Sequence, residues 1–578
     1  MTTTSSAAAR GFWRANGLSA LLDFGLSSHR RAATLLVLVS LAAFLPGFFQ
    51  IPPVDRDEAY FAQATKQMIE SGNYVDIRYQ DDVRYRKPIG IYWLQAGVVK
   101  TAEMLGVPSA REKIWLYRVP SLVGAIGAVL ATYWCALALI SRRGALMAAL
   151  MMAGSVALSL EARLAKTDAV LLFTIVLAMG VLARTYLLSH EGGDNAARLK
   201  WTLAALFWTV AAASILDKGP LIVMVVGLAA AALSIVDRSA RWLNTLRPFA
   251  GVPWLVVLVL PWFVAIYWRA GNAFLVDSVS HDMLSKIVGG QESHGAPPGL
   301  YILLLFVTFF PAAALVVPAV PAIWLRRREP VVRFLLAWLV PSWIVFELVP
   351  TKLPHYVLPL YPAIAVLLAD VVEKNLLSKR PALASAAVWW LIVPSAIAVA
   401  AVAGASMIGG NLELLAWPFF AAAIVCGFYA WRLFGDDGAE RSFLYGLAAA
   451  ILIGIGAFGI VMPSLSPLFP SVALADMLHN ATCLNPRAAS TGYQEPSLVF
   501  LAGTATRLTD PAGAADFLRG GACRFAFVEA REQQPFALRA QAIGLRYRAG
   551  PRIDGFNISK GRRIAIAVFQ SIGAPATP

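Results

Sequence analysis

Thirteen apolar runs, each near the length of a bilayer crossing, fill most of this 578-residue chain. A helix needs about 20 mostly apolar residues to cross a membrane. The runs lie near 33–50, 114–140, 144–160, 168–188, 201–216, 219–236 and 250–268, then near 299–325, 331–349, 355–372, 384–408, 413–434 and 443–463. Only 14% of residues are charged and 58% are hydrophobic, whereas a soluble chain carries about 25% charged residues. Soluble domains are therefore excluded as the main architecture. Gly and Pro are scattered without a period, which excludes a collagen-like chain. The pattern predicts an α-helical polytopic membrane protein with about thirteen transmembrane helices. The first run begins about 30 residues in and lacks a small-residue cleavage site, so no cleaved signal peptide is expected.

Orientation follows from Lys and Arg. The N-terminal segment carries Arg10, Arg14, Arg30 and Arg31, and every second loop is basic, from Arg142 and Arg143 to Arg432 and Arg441. These loops fall on one side together with the N-terminus only if the count is thirteen. Residues 1–32 are then cytoplasmic, 33–463 form the membrane domain, and 464–578 lie outside, in the periplasm of a bacterium. The net charge of +15 reads as orientation signals and lipid-phosphate contacts rather than nucleic-acid binding. The tail from 464 is less apolar. Its stretches SLVFLAG, RFAFVEA and RIAIAVF read as strands around a helix-like AADFLRG, which predicts a small soluble α/β domain. Its two cysteines, Cys483 and Cys523, would share an oxidising compartment, so a disulfide between them is one of two readings; separate buried thiols are the other.

Charges placed against the orientation rule mark the outer side as the working face. The long outer loop, 51–113, opens with Asp55, Asp57 and Glu58 directly after a membrane helix. Carboxylates there suit a general base or a divalent cation, and equally an acidic helix start. Residues 57–70 read as an amphipathic helix lying on the membrane surface. The loop continues with Arg84, Arg86 and Lys87 before an aromatic segment containing Tyr92 and Trp93. Cations at that depth suit a lipid phosphate or plain interface anchoring. Further along come Arg163, Lys166 and Asp168 in ARLAKTDA, Asp217 and Lys218 in LDKGP, and Lys352, His355 and Tyr356 in TKLPHYVLPLYP. His281 and His294 lie in the loop at 269–298.

DRDEAYFAQATKQMIESGNYV and RYRKPIGIYWLQ resemble the N-terminal signature of the ArnT-like and protein-mannosyltransferase-like glycosyltransferases of the GT-C type. ARLAKTDA, DKGP, LPW at 260–262 and KLPHYVLPLYP follow in the family's order. The resemblance covers about 40–370 well and the tail weakly. It implies thirteen helices, an outer C-terminal domain and an inverting reaction. It implies that Asp57 is the catalytic aspartate, that Asp168 is a second family aspartate, and that Lys87 contacts the donor phosphate. A metal site would use Asp57 and His281. The family has Glu before the Lys-Pro pair where this chain has Arg86, so the resemblance does not carry the sugar over.

The expected function is transfer of a sugar from a polyprenyl-phosphate donor to a lipid A-like glycolipid, glycan or protein acceptor on the periplasmic face of the bacterial inner membrane. Asp57, Glu58 and Asp168 are the catalytic candidates. Lys87, Arg84, Arg86 and Lys218 are the donor-phosphate candidates. Arg163, Tyr92, Lys352, His355 and Tyr356 are expected to line the substrate cavity. A divalent cation (Mg, Mn or Zn) is an admissible cofactor; a nucleotide is not expected, because a lipid-linked donor needs no nucleotide pocket and no Gly-rich phosphate loop occurs. The protein is expected to be a monomer. A protein O-mannosyltransferase is the near alternative. A transporter or lipid-sugar flippase is the alternative of another class, and would show polar groups at mid-membrane helix breaks rather than at outer helix ends. The tail is expected to capture the acceptor or to act as a lid.

Overall fold

The computed structural model describes residues 18–55, 57–190, 201–271, 274, 295–408, 414–434 and 438–572. Each of the thirteen apolar runs holds a helix. Among the described residues, eight helices are long and apolar enough to cross a membrane. A ninth crossing results if Leu300–Thr308 and Ala312–Leu325, bent by 120° between them, count as one. Pro311 lies in that break, where it withholds a backbone donor. His29–Phe44, Arg142–Gly154 with Val156–Glu161, Trp201–Lys218 and Leu221–Val236 fall outside these nine.

Burial sorts the helices into an inner and an outer set. Arg142–Gly154 is buried from Gly144 to Gly154, and Tyr361–Glu373 from Tyr361 to Val372. Both are apolar almost all round, as a helix enclosed by other helices must be, and the one acid buried in the second, Asp370, is paired with Arg326. Pro248–Ala270 instead turns Phe249, Val257 and Trp268 outward, where a bilayer would cover them. Close approaches are set by glycine. A Cβ on Gly124 would stand 2.9 Å from the Val170 nitrogen and 3.0 Å from the Ala169 carbonyl carbon. That lets Ile114–Ala136 pack against the first turn of Asp168–His190, which begins with Asp168.

The first loop is not a helix lying free on a surface. Asp57–Ser71 is helical, but Glu58, Ala59 and most residues from Phe61 to Ile69 are buried. It is sandwiched between the helix Gly90–Met104 and a short tail helix, Pro496–Ala502. A small hairpin, β1 (Arg78–Tyr79) with β2 (Asp82–Val83), joins the two loop helices.

The tail is a five-stranded sheet. Its strands are β3 (Arg487–Thr491), β4 (Arg507–Leu508), β5 (Arg524–Glu529), β6 (Tyr547–Asn557) and β7 (Arg562–Ser571), in the order β4-β3-β5-β7-β6. The β4-β3-β5 side is parallel, and β5-β7-β6 is antiparallel. RFAFVEA and RIAIAVF form strands and AADFLRG a helix, as the sequence indicates. SLVFLAG does not form a strand: it lies in the helix Pro496–Ala502. Pro496 sits at the first helical position, where its fixed φ suits a helix start. A buried run this short has no periodicity that separates helix from strand. Cys483 and Cys523 are joined as a disulfide with Cα atoms 5.7 Å apart, so the bridged reading holds.

Candidate active site

The entry to the first loop is fixed by one buried ion pair. Arg118 is fully buried near the start of Ile114–Ala136. Its Nε lies 2.7 Å from Glu58 Oε1 and its Nη2 2.9 Å from Oε2. Its remaining donors reach the carbonyls of Phe48, Ile51 and Pro52 at 2.8–3.0 Å. The Val54 and Ala165 amides each donate to Glu58 at 2.9 Å. Two contacts per oxygen fill the acceptor sites of a carboxylate. Glu58 therefore has no lone pair left for a substrate. The expectation of a catalytic Glu58 gives way to that of an anchor, which ties together the end of the first membrane segment, the first loop and the 162–167 turn.

Asp57 is the opposite case. It is the first residue of its helix and is exposed. Among the described residues nothing is hydrogen-bonded to its carboxylate. Lys166 stands close enough for its charge to be affected by Asp57. Burial works against the Lys166 ammonium, but Glu161, Asp168 and Asp57 outweigh burial and hold it above the usual lysine range.

Next to Asp57 lies a cluster of alternating charges at helix ends. Lys218, at the end of Trp201–Lys218, pairs with Asp168 Oδ1. His355 lies between two carboxylates, with Nε2 3.7 Å from Asp168 Oδ1 and Nδ1 3.6 Å from Glu161 Oε1. Lys166 Nζ is 3.2 Å from Glu161 Oε2. Lys218 also lies 5.9 Å from the Tyr356 ring centre, and His355 packs edge-on against Tyr356. Lys87 is near enough to act on His355 electrostatically. Gly90 makes that possible: a Cβ there would fall 2.8 Å from the Leu216 carbonyl and 2.9 Å from Asp217 Cα. The Lys-Pro-Ile-Gly segment thus rests directly on the helix end that carries Lys218.

Other expected cavity residues have different work. Arg163 is buried and gives its guanidinium to the Pro46 carbonyl at 2.6 Å, the Ser159 hydroxyl at 2.7 Å and the Ala43 carbonyl at 2.5 Å. It caps a helix end instead of lining a cavity. Lys352 does likewise, donating to the Glu347 and Val349 carbonyls at 2.8 and 2.7 Å at the end of Pro330–Leu348. Tyr92 is fully buried against Phe61, because the aromatic segment turns into the protein as the helix Gly90–Met104. Arg84 is buried with its guanidinium 4.4 Å from the Tyr60 ring centre, so aromatic faces take its charge. Arg86 is exposed. His281 and His294 lie outside the described residues. Glu161 and Arg118 were missed in the sequence, though each had a signal: a single charge inside or at the end of an apolar run.

The described residues do not assemble a metal centre. No group of three His, Cys, Asp or Glu side chains is placed to hold an ion among them. Glu58 is saturated and Asp168 is paired with Lys218, leaving Asp57 as the one open carboxylate of the three.

Residues 34–276 match the dolichyl-phosphate-mannose-protein mannosyltransferase family model. An undecaprenyl phosphate-alpha-4-amino-4-deoxy-L-arabinose arabinosyl transferase of Pseudomonas paraeruginosa is 27% identical over 360 residues, 60% of this chain and 61% of the relative. The chain thus matches less than two thirds of that relative's length. The enzyme of the same name from Pectobacterium carotovorum is 25% identical over 76% of this chain and 78% of its own. The crystal structure of ArnT from Cupriavidus metallidurans, in the apo state, superposes with a TM-score of 0.72 at 17% identity, covering 92% of this chain and 97% of that one. The same protein bound to undecaprenyl phosphate gives 0.71. Helices, tail sheet and sequence motifs agree: this multi-pass membrane chain has the fold of ArnT and is similar to the ArnT-like glycosyltransferases of the GT-C type.

Proposed function

We propose that this protein transfers a sugar from a polyprenyl-phosphate donor to an acceptor hydroxyl of a glycolipid, glycan or protein at the outer face of a bacterial inner membrane. The observation that carries this reading is the pairing of an open carboxylate, Asp57, with a cluster of cations at helix ends. A glycosyl phosphate needs both. Asp57 takes the acceptor proton as the acceptor oxygen bonds to the anomeric carbon. The carbon–oxygen bond to the phosphate breaks, and its electron pair leaves on the lipid phosphate. Lys218 and Lys87, with Lys166 behind them, stabilise that charge. Asp168 orients Lys218, and His355 orients Asp168. Attack opposite the leaving phosphate inverts the anomeric centre.

The acceptor is proposed to be a lipid A-like glycolipid, the acceptor that the resemblance to the ArnT-like transferases implies. A protein hydroxyl is the second reading, because the matching family model is that of protein mannosyltransferases. The N-terminus is cytoplasmic and the tail periplasmic in this proposal, following the basic loops. The polar cluster at helix ends, rather than at a midplane break, argues against a flippase. The test is direct. Purified protein in lipid nanodiscs is given undecaprenyl phosphate carrying aminoarabinose or mannose, with lipid A or a Ser/Thr-rich peptide. Release of undecaprenyl phosphate with a glycosylated lipid A supports the proposal. A glycosylated peptide moves the acceptor to the second reading. No transfer, together with passage of the lipid-sugar across vesicles, would replace the enzyme with a flippase.

A further inference from the structure

The tail helix Pro496–Ala502 is fastened to the first loop along its length. Asp55, two residues before Asp57, accepts from the Ser497 amide at 2.9 Å and from the Ser497 hydroxyl at 2.7 Å. One turn on, buried Lys66 donates to the Phe500 carbonyl at 2.9 Å. Phe500 is fully buried, edge-on to Tyr117 at 5.3 Å. Thr504 bridges Gln63 at 2.8 Å and Glu70 at 2.7 Å. Three turns of the helix that begins with Asp57 are thus held by the tail. Of the three carboxylates that open the loop, Asp55, Asp57 and Glu58, the one that the tail grips is Asp55.

We infer that the tail is a working part of the active site, with Ser497 as a positioning residue that fixes Asp57 by holding Asp55; this rests on Asp57 being the base. The tail is then neither a detached acceptor trap nor a lid.

The environment of Asp55 gives the contact a pH dependence. Burial raises its carboxyl from the ordinary range to about 7, opposed by the Ser497 hydrogen bonds and assisted by Glu495 and Glu58. The facing groups are few. Glu58 is neutralised by Arg118. Glu495 is held by Asn557 at 2.8 Å and Ser559 at 3.0 Å. Tyr79 and Tyr493 sense the Asp55 charge, and Arg84 lies by Tyr79. A carboxyl whose docked pKa is raised favours docking fully below its free pKa. That contribution is lost as pH rises toward about 7. Docking of the tail should therefore weaken between about pH 4 and 7 and stay level above.

Three variants of the full-length protein test the inference: Ser497→Ala, Asp55→Ala and Asp55→Asn. Asn can accept from the amide and donate to the hydroxyl, so it keeps the contact without the charge. The readouts are kcat, binding of undecaprenyl phosphate, and hydrogen-exchange protection of residues 57–71 across pH 5 to 8. Asp55→Ala should lower kcat about tenfold, the scale of a lost hydrogen bond to a charged group. Undecaprenyl phosphate binding should stay within about twofold. Ser497→Ala should lower kcat in the same direction by less, since the amide remains. Asp55→Asn should rescue kcat relative to Asp55→Ala and flatten the pH dependence of protection. Wild-type kcat and protection in Asp55→Ala would overturn the inference. So would an Asp55→Asn as inactive as Asp55→Ala, because the need would then be for charge. If Asp57→Asn transfers sugar normally, the base assignment falls and the tail contact is judged on protection alone.

Discussion

Asp57 and Glu58 are neighbours with the same chemistry and opposite surroundings. The exposed one has a carboxylate with no hydrogen-bond partner among the described residues; the other is saturated by Arg118 and two amides. Their substitutions should therefore separate cleanly. Asp57→Asn keeps size but removes basicity, so transfer should fall about 10²- to 10⁴-fold. Its melting temperature and undecaprenyl phosphate binding should stay near wild type. Glu58→Gln leaves Arg118 as a buried charge without a counter-ion, which costs about 3–5 kcal/mol. That should appear as a lower melting temperature, with any loss of transfer following the loss of fold. A Glu58→Gln protein of wild-type stability that no longer transfers sugar would show that Glu58, not Asp57, meets the substrate. The sequence displayed both carboxylates but not this difference, because the partner that consumes Glu58 lies 60 positions away in another helix.

At the scale of elements, the sequence was most legible where a motif and its structural reason share one segment. The Asp-Glu pair opens a helix, and Lys87 precedes a glycine that must touch another backbone. Legibility failed where a distant element decided the outcome. Arg163 and Lys352 look like substrate cations until the helix ends they cap come into place. SLVFLAG looks like a strand until its proline and its burial against the first loop turn it into a helix. Gly90 gives a test at this scale. Gly90→Ala would place a Cβ under 3 Å from the backbone of Leu216 and Asp217, so the loop must move off the helix end. Overpacking of this kind costs about 1–3 kcal/mol. Lys87 should shift away from Lys218, weakening undecaprenyl phosphate binding roughly tenfold, about 1.4 kcal/mol. Gly97, on the same helix, has nothing within 4 Å of a Cβ, so Gly97→Ala is the control and should leave binding alone. Equal binding in both variants would sever Lys87 from the donor phosphate.

For the whole molecule, the side of the membrane on which the tail lies depends on the parity of the crossings. Nine long crossings put the two ends on opposite sides, and so do thirteen, whereas eight do not. The helices outside the nine are close to spanning length. Arg142–Gly154 and Val156–Glu161, on either side of Ser155, together extend about 30 Å at 1.5 Å per residue. Thirteen crossings also put the basic loops on one side, where the Lys and Arg bias wants them. The tail disulfide makes the outcome measurable. An outer tail meets an oxidising compartment and an inner one does not. Cys483 and Cys523 should therefore resist alkylation in intact cells until a reductant is added. The bridge closes a loop of 40 residues, worth about 4 kcal/mol by chain entropy. Cys483→Ser with Cys523→Ser should accordingly loosen the tail. Because the tail grips the helix that begins with Asp57, transfer should decline with it, while the membrane domain stays folded. Prompt alkylation of both thiols in unreduced wild-type cells would place the tail inside. Because the tail is bonded to the loop that opens with Asp55 and Asp57, Asp57 would then face the cytoplasm with it.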